Sequence, residues 1–564
     1  MNKSVLWMTC CLISGMSLAQ TTRYSVIINE FLPDPTPTVG LPNCEFIELK
    51  NISDEAIQLE KWRIENGTTS AVINTSYLLQ PDSLAIICSK TQAAAFNRPG
   101  KTIGISSFPT LNNESGMIIL KDASGKTIHA VSYDQSCYKS PTKSDGGWSL
   151  EMIDPTNVCD KNNWQASIND SGGTPGKENS IVNIKQPSRN IQATQCTATE
   201  PTRLLLKLNQ GADSLSLSLA DKYTLLTSEI DILSAKPLAP LFNTVELLLN
   251  DGMQENKIYE LDVKGLSHCN QASSDNLLIK TGLYSAVKKN DLVINEILFD
   301  PETGGSDFIE LYNKTSSLIN AKEIYLSSRN FNGLINKITQ ATKDNYTIFP
   351  GDHVVFTEDT SYLKSKWKTG DSLLIENTNM PSMPDDNGNV VILDKHGEVI
   401  DELTYSKEMH FPLLRNVAGV SLERINPNAL SIQKENWHSS SSTNNYATPT
   451  RKNSQYIAEA DLEKNINIFP ELISPNNDGI DDILKIEYSF SNNGHLLSIY
   501  VYDYNGRLIT KIADNLLCGT KGMITWNGLD KQNRKPNTGL YIIYAESFDL
   551  NGRRIRTKKA VGIY

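Results

Sequence analysis

The sequence predicts an all-β protein: tandem β-sandwich domains, four in a row, behind an export leader. Three observations predict it. Short apolar runs alternate with polar residues along most of the chain, Gly, Pro, Asn and Ser recur between them, and two long stretches repeat each other block by block. A chain of 564 residues with 39% hydrophobic and 21% charged residues can bury several cores. Its net charge of −11 argues against a wide surface for neutralising nucleic-acid phosphates, so no nucleic-acid partner is expected.

The first element is a leader. Lys3 precedes the apolar run Val5 to Leu18, too short to span a bilayer comfortably, and Ser17-Leu18-Ala19 supplies small residues for cleavage. Residues 1–19 are read as a secretory signal peptide. No later stretch has the length and apolarity of a transmembrane helix.

The repeat comes next. SVIINEFLPDP from Ser25 parallels DLVINEILFDP from Asp291, and EFIELKN from Glu45 parallels DFIELYN from Asp307. The segment around Pro81 parallels that around Pro350, and GMIILKDASGKTIHAVSY from Gly116 matches GNVVILDKHGEVIDELTY from Gly388 without a gap. GWSLEM from Gly147 and GVSLER from Gly419 open the closing blocks, which run on to Trp164 and Trp437. Each block reads as strands, and KDASGK and DKHG read as hairpin turns. KTQAAAF and TSYLKSKW are the helix-like pieces, one per repeat.

These blocks resemble the bacterial form of the lamin tail domain, which implies an immunoglobulin-like sandwich over residues 24–180 and again over 291–455. The first copy departs by carrying Pro81-Asp82 at the turn, three extra residues before Glu45, and four cysteines. Residues 190–285 read as a further small β-domain, with SLSLSLADKYTLL as alternating strand, and resemble bacterial immunoglobulin-like modules. The tail, 465–564, carries SPNNDGIDD, VYDYNGR and WNGLD with NTGLYIIY. It is similar to gliding-motility-associated and flagellar-hook-capping immunoglobulin-like domains. That resemblance implies a type IX secretion signal, partnership with secretion machinery, and attachment at the surface or release.

Cys10 and Cys11 leave with the leader, and seven cysteines remain. Even groups suit disulfides in an oxidising space. The preferred pairs are Cys44–Cys88 and Cys137–Cys159, with Cys44–Cys159 and Cys88–Cys137 as the alternative. Cys196–Cys269 would close the middle domain, leaving Cys518 as a buried free thiol. CxxC pairs suited to zinc are absent.

Few residues invite chemistry. Asn476, Asp478, Asp481 and Asp482 crowd carboxylates around Gly479, a loop that could ligate calcium, against the plainer reading of an Asx-rich turn. Glu30, Asp34 and Glu48, with Glu296, Asp300 and Glu310 in the second copy, could pair as acid and base. Their repetition in a sandwich module favours structure, with Glu48 expected to face outward beside Phe46. The seven histidines form no HExxH or triad pattern, and His129 corresponds to Asp401 in the other copy. Trp164 and Trp437 are expected in the core. Arg553, Arg554, Arg556, Lys558 and Lys559 suggest a charged edge strand, the sharper alternative being an anionic-glycan or lipopolysaccharide contact.

The expected function is that of a non-enzymatic secreted or surface protein, structural or adhesive, meeting an undefined surface ligand or envelope component. No cofactor is expected, calcium at the Asn476 to Asp482 loop being the one alternative to that reading. The alternative is an accessory component beside an extracellular nuclease or phosphoesterase, a role that fold-level analogy does not by itself transfer.

Overall fold

A computed structural model describes residues 21–96, 101–182, 190–269, 273–370, 374–377, 379–457, 465–476 and 481–564. The leader therefore lies outside the described residues. The described residues form two compact units: those from 21 to 194 with 203–251 and 260–279 make the first, and those of 195–202, 252–259 and 280–564 the second.

In the first unit, a six-stranded sheet runs in the order Trp164–Ala166, Leu150–Met152, Val26–Leu32, Phe46–Asn51, Leu84–Ser89, Thr102–Ile105. A four-stranded sheet, Thr127–Asp134, Ser115–Lys121, Arg63–Glu65 and Ser70–Val72, belongs to the same core. Ile28, Phe31, Leu49, Trp62, Leu120, Val131 and Trp164 fill that core, as period-two alternation requires of a sandwich.

The second unit repeats this frame. Leu374–Glu376, His353–Thr357, Phe308–Asn313, Leu292–Leu298, Leu422–Arg424 and Trp437–Ser439 form one sheet. Thr339–Gln340, Tyr325–Ser327, Asn387–Leu393 and Val399–Ser406 form the other. Even the irregularity recurs: the first strand of each copy shifts register, between Ile28 and Glu30 and between Ile294 and Glu296. Both hairpin turns use glycine at positive φ, Gly125 at +88° and Gly397 at +84°, with Asp122 and Asp394 accepting backbone N–H groups across the turn. Of the helix-like pieces, TSYLKSKW forms a short α-helix, Thr360–Lys366, whereas the first copy makes only the 3-10 turn Ala93–Phe96.

Within the first unit the middle segment pairs Arg203–Leu208 with Thr244–Leu249, and Thr244–Leu249 with Ile232–Pro237. Tyr223–Leu226 pairs with residues 260–263. The expected strand through SLSLSL is corrected: Ser214–Leu217 is a helical turn, because the Asp213 carboxylate caps it by accepting the Ser216 N–H at 2.7 Å.

In the second unit the C-terminal residues form a sandwich. Asn465–Phe469, Leu484–Ser489 and Lys521–Trp526 make one sheet. Leu472–Ile473, Arg554–Ile563, Gly539–Phe548, Leu496–Asp503 and Leu508–Leu517 make the other. This sandwich docks on the second repeat. Phe411 and Leu414 pack with Leu496, Leu517 and Phe548, and the Ser442 hydroxyl donates to the Leu517 carbonyl at 2.8 Å.

The disulfide expectations need correction. Cys159 bonds Cys269, not Cys137, tying the closing block of the first repeat to the middle segment across 110 residues. Cys196 is therefore not the partner of Cys269; it is a free buried thiol, as are Cys137 and Cys518. Cys44 and Cys88 are also free and buried, but their side chains hydrogen-bond each other.

Candidate functional site

The strongest concentration of ionisable groups in each repeat is a buried carboxylate trio on the sheet face opposite the main core. In the first copy, register sets Glu30 directly across from both Glu48 and Glu151 on neighbouring strands. All three are fully buried. Glu48 thus does not face outward into solvent. Alternation does put it on the outer face with Phe46, but that face is covered.

The cover is the return segment 174–180, TPGKENS. Thr174 donates its N–H to Glu30 Oε1 at 2.7 Å, where the Ser149 hydroxyl also donates at 2.6 Å. Glu48 accepts the Gly176 N–H and, at 2.9 Å, the Asn29 amide. Ser180 donates to Glu151 Oε2 at 2.8 Å. The Thr174 hydroxyl lies 3.3 Å from Glu30 and 2.9 Å from Glu151. Every carboxylate oxygen of the trio therefore has a partner from the chain itself. Asn29 and Asn179 lock the segment's far end, the Asn179 amide donating to the carbonyls of Asn29 and Met152 at 3.0 and 2.8 Å.

The second copy builds the same latch from Glu296, Glu310 and Glu423 under residues 448–455. Thr448 and Thr450 donate N–H groups to Glu296 and Glu310 at 2.9 and 2.6 Å. Glu423 Oε2 accepts from the Gln455 N–H at 2.8 Å and the Ser454 hydroxyl at 2.9 Å. The Thr448 hydroxyl sits 3.0 Å from Glu296 and 2.8 Å from Glu423.

A threonine hydroxyl has one proton to give, so bridging two carboxyl groups requires that one of them be protonated and donate back. The electrostatics agree. Burial, then repulsion from Glu48, holds Glu30 well above the usual carboxylate range. Burial pushes Glu48 up to about 7. Burial and Glu423 push Glu296 up to about 8, and burial with Glu296 holds Glu310 well above the usual carboxylate range. Such values would suit acid–base catalysis if a substrate could reach the groups. Here no carboxylate oxygen is left for one.

Asp34 and Asp300, expected beside these glutamates, do not join them. Asp34 caps its own loop through the Thr36 N–H and accepts the Asn113 amide. The third member is Glu151 or Glu423, from the SLE triplet. The signal that could have found the latch was legible: TP, three residues, then NS, from Thr174 and again from Thr448.

A second slot lies beside the bulge. In the first copy the Ile28 N–H donates to His129 Nδ1 at 2.9 Å, which leaves Nε2 to donate to the Val158 carbonyl at 3.3 Å. Burial holds this imidazole neutral, with its pKa lowered to about 4. In the second copy the Ile294 N–H donates to Asp401 Oδ2 at 2.8 Å, and the buried Arg424 guanidinium pairs with that oxygen at 3.0 Å. Neither is a catalytic arrangement; each satisfies a bulged strand.

Trp164 and Trp437 lie in their cores. Of the candidate calcium loop, Asp478 falls outside the described residues, and the Asp482 carboxylate accepts the Asn476 N–H at 3.0 Å. Among the described residues there is no group of three or more His, Cys, Asp or Glu arranged to hold a metal.

Repeated sandwiches with closed acidic latches define a modular β-protein, and the family match falls on those modules. The model of the Lamin Tail Domain matches residues 19–135 and 285–407. A search of the curated proteins returns no match. Among solved structures, the N-terminal part of the bacterial S-layer protein SbsC is 12% identical, with a TM-score of 0.16. That match covers 39% of this chain and 44% of the S-layer fragment. A DUF4876 family protein from Bacteroides thetaiotaomicron is 13% identical at a TM-score of 0.18, covering 36% of this chain and 84% of its own. A Ca2+-stabilized adhesin of an Antarctic bacterium is 9% identical at a TM-score of 0.12, covering 97% and 100%. Scores this low carry no argument about ligand or role.

Proposed function

We propose that the chain is an exported, non-enzymatic surface or secreted protein whose sandwiches act as structural or adhesive modules, delivered by a type IX-like signal in residues 465–564. The observation that carries the non-enzymatic reading is the closure of both glutamate trios: the groups best tuned for proton transfer are engaged by the protein's own backbone and hydroxyls. Export is supported by the leader-like first 19 residues and by a disulfide that joins two segments of the first unit. No described helix is long and apolar enough to cross a membrane.

The delivery test must respect the docking of the C-terminal sandwich, because deleting it uncovers Phe411 and Leu414. Residues 465–564 are therefore fused to a secreted reporter carrying its own leader, and surface exposure is measured by protease accessibility on intact cells. The reporter should reach the surface with the fusion and stay periplasmic without it. Equal delivery with and without the fusion removes the sorting role.

A further inference from the structure

The outer face of the five-stranded C-terminal sheet is only partly covered. At one end Leu496 and Phe548, paired across neighbouring strands, sit under Phe411 and Leu414 of the second repeat. The same face continues beyond that contact, where Tyr500, Tyr502 and Tyr544 are half-buried and Lys558 is exposed. There the cross-strand register lines up Lys511, Tyr500, Tyr544 and Lys558 in one row across four strands. The two rings stack at 6.2 Å, with the Lys511 ammonium 5.3 Å from one centroid and the Lys558 ammonium 5.7 Å from the other. The next row sets Tyr502, which stacks on Tyr500 at 6.3 Å, beside Ile542. Tyr502, Ile542 and Tyr544 border an open hollow of about 670 Å³ whose far rim is Arg556, Thr557 and Lys558.

Charge on this face is unbalanced towards cations. Lys511 is neutralised by Asp514 at 2.8 Å. Glu546 is shared by two guanidinium groups, Arg554 at 3.8 Å and Arg556 at 3.1 Å, which leaves a net positive charge. The Lys558 ammonium is exposed, and its described contact is the Tyr544 ring. This is a cationic patch on a chain whose net charge is −11.

We infer that this tyrosine and lysine face binds an anionic polysaccharide, a chain of sugar rings bearing carboxylate or sulfate groups. Tyrosines and Ile542 offer apolar contact to the C–H faces of sugar rings while phenolic hydroxyls hydrogen-bond at their edges. Lys558 and the arginine pair supply the anion contacts. The alternatives fit less well. A peptide could add as a strand only along a sheet edge such as residues 554–561, leaving the tyrosine face unused, since the interior strands already use their backbone groups in the ladder. A double-stranded nucleic acid, with one charge per about 1.7 Å of its axis, is repelled by an acidic protein at long range more strongly than a glycan with one charge per sugar, and a single strand is left to the test.

This inference deepens the adhesive reading and rests on it, but binding is tested on the purified full-length chain, independently of delivery. The probe is alginate, a linear polyuronate, with neutral dextran, poly-glutamate and oligo(dT) as comparisons. Alginate should be bound, dextran should not, and binding should weaken as salt rises. Lys558→Glu and Tyr502→Ala should each lower alginate affinity roughly tenfold or more, the scale of one lost cationic or aromatic contact, with unchanged thermal unfolding. Absence of alginate binding, wild-type affinity in both variants, or equal or tighter binding of poly-glutamate or oligo(dT) would overturn it. Loss of surface delivery with alginate binding intact would overturn the sorting role alone.

Discussion

The two repeats share a frame strand for strand, yet they fill its polar vacancies with different residues. Where the first copy uses His129, with Met152 at the position of Arg424, the second uses Asp401 paired with Arg424. Where the first has the thiols of Cys44 and Cys88 in contact, the second has the hydroxyls of Ser306 and Thr357 at 3.1 Å. The glutamate trios are the same in both, and the clasping segments TPGKENS and TPTRKNS keep the threonine, proline, asparagine and serine. The difference teaches that the fold dictates a need at each position, an acceptor for a bulged N–H or a small pair under a loop, and not the residue that meets it. A chemically suggestive side chain in one copy is therefore weak evidence for chemistry when its counterpart meets the same need by other means.

The largest effect should come from mixing the two solutions. Arg424→Met places the first copy's residue into the second and leaves Asp401 buried without its cation, which should cost about 3–5 kcal/mol in denaturant unfolding of the second unit. Adding Asp401→His should recover much of it; no recovery would break the equivalence of the two slots.

Disulfides should separate the units next. Cys159→Ser removes a bond that closes a long loop and should destabilise the first unit by about 2–4 kcal/mol, leaving unfolding of the second unchanged. In secreted material, non-reducing peptide mapping should find Cys159 joined to Cys269, with Cys44 and Cys88 as free thiols. Cys159 and Cys269 both free would count against export.

The His129 slot predicts a pH dependence of its own. With a folded pKa near 4 against 6.5, the unfolded chain takes the proton first, so the stability is present above 6.5 and lost as pH falls to 4. That amounts to about 3 kcal/mol. Glu48, raised to about 7, has the opposite sign: its contribution is full below 4.5 and is lost as pH rises through 7. Comparing wild type with His129→Gln over pH 4–7 isolates the histidine, and parallel curves would refute it.

The smallest of these effects concerns the latch. Thr448→Val or Thr174→Val removes a hydroxyl shared by two carboxyl groups and should cost roughly 1–3 kcal/mol in its own copy. Equal losses would show that the two latches are equivalent.

Much of the frame was legible because strand alternation and glycine turns are local signals: VIINEFL and LVINEIL form the expected strands, and both tryptophans lie in core. The cover over the glutamates was not, because residues 174–180 have no periodicity and their role depends on where a coil returns. Alternation put Glu48 on the right face of its strand but could not say that the face is buried. The Cys159–Cys269 bond joins residues 110 apart, a pairing that depends on tertiary placement rather than on spacing.

The central claim, that the buried glutamates are structural latches, is tested most directly by amide hydrogen exchange of the full-length chain. Residues 448–455 contribute no strand to either sheet of their repeat, yet the amides of Thr448, Thr450 and Gln455 donate to buried carboxyl groups. They should exchange as slowly as the strand Phe308–Asn313, and Glu423→Ala should release Gln455. Exchange of this segment at the rate of exposed turns in the wild-type protein would contradict the account.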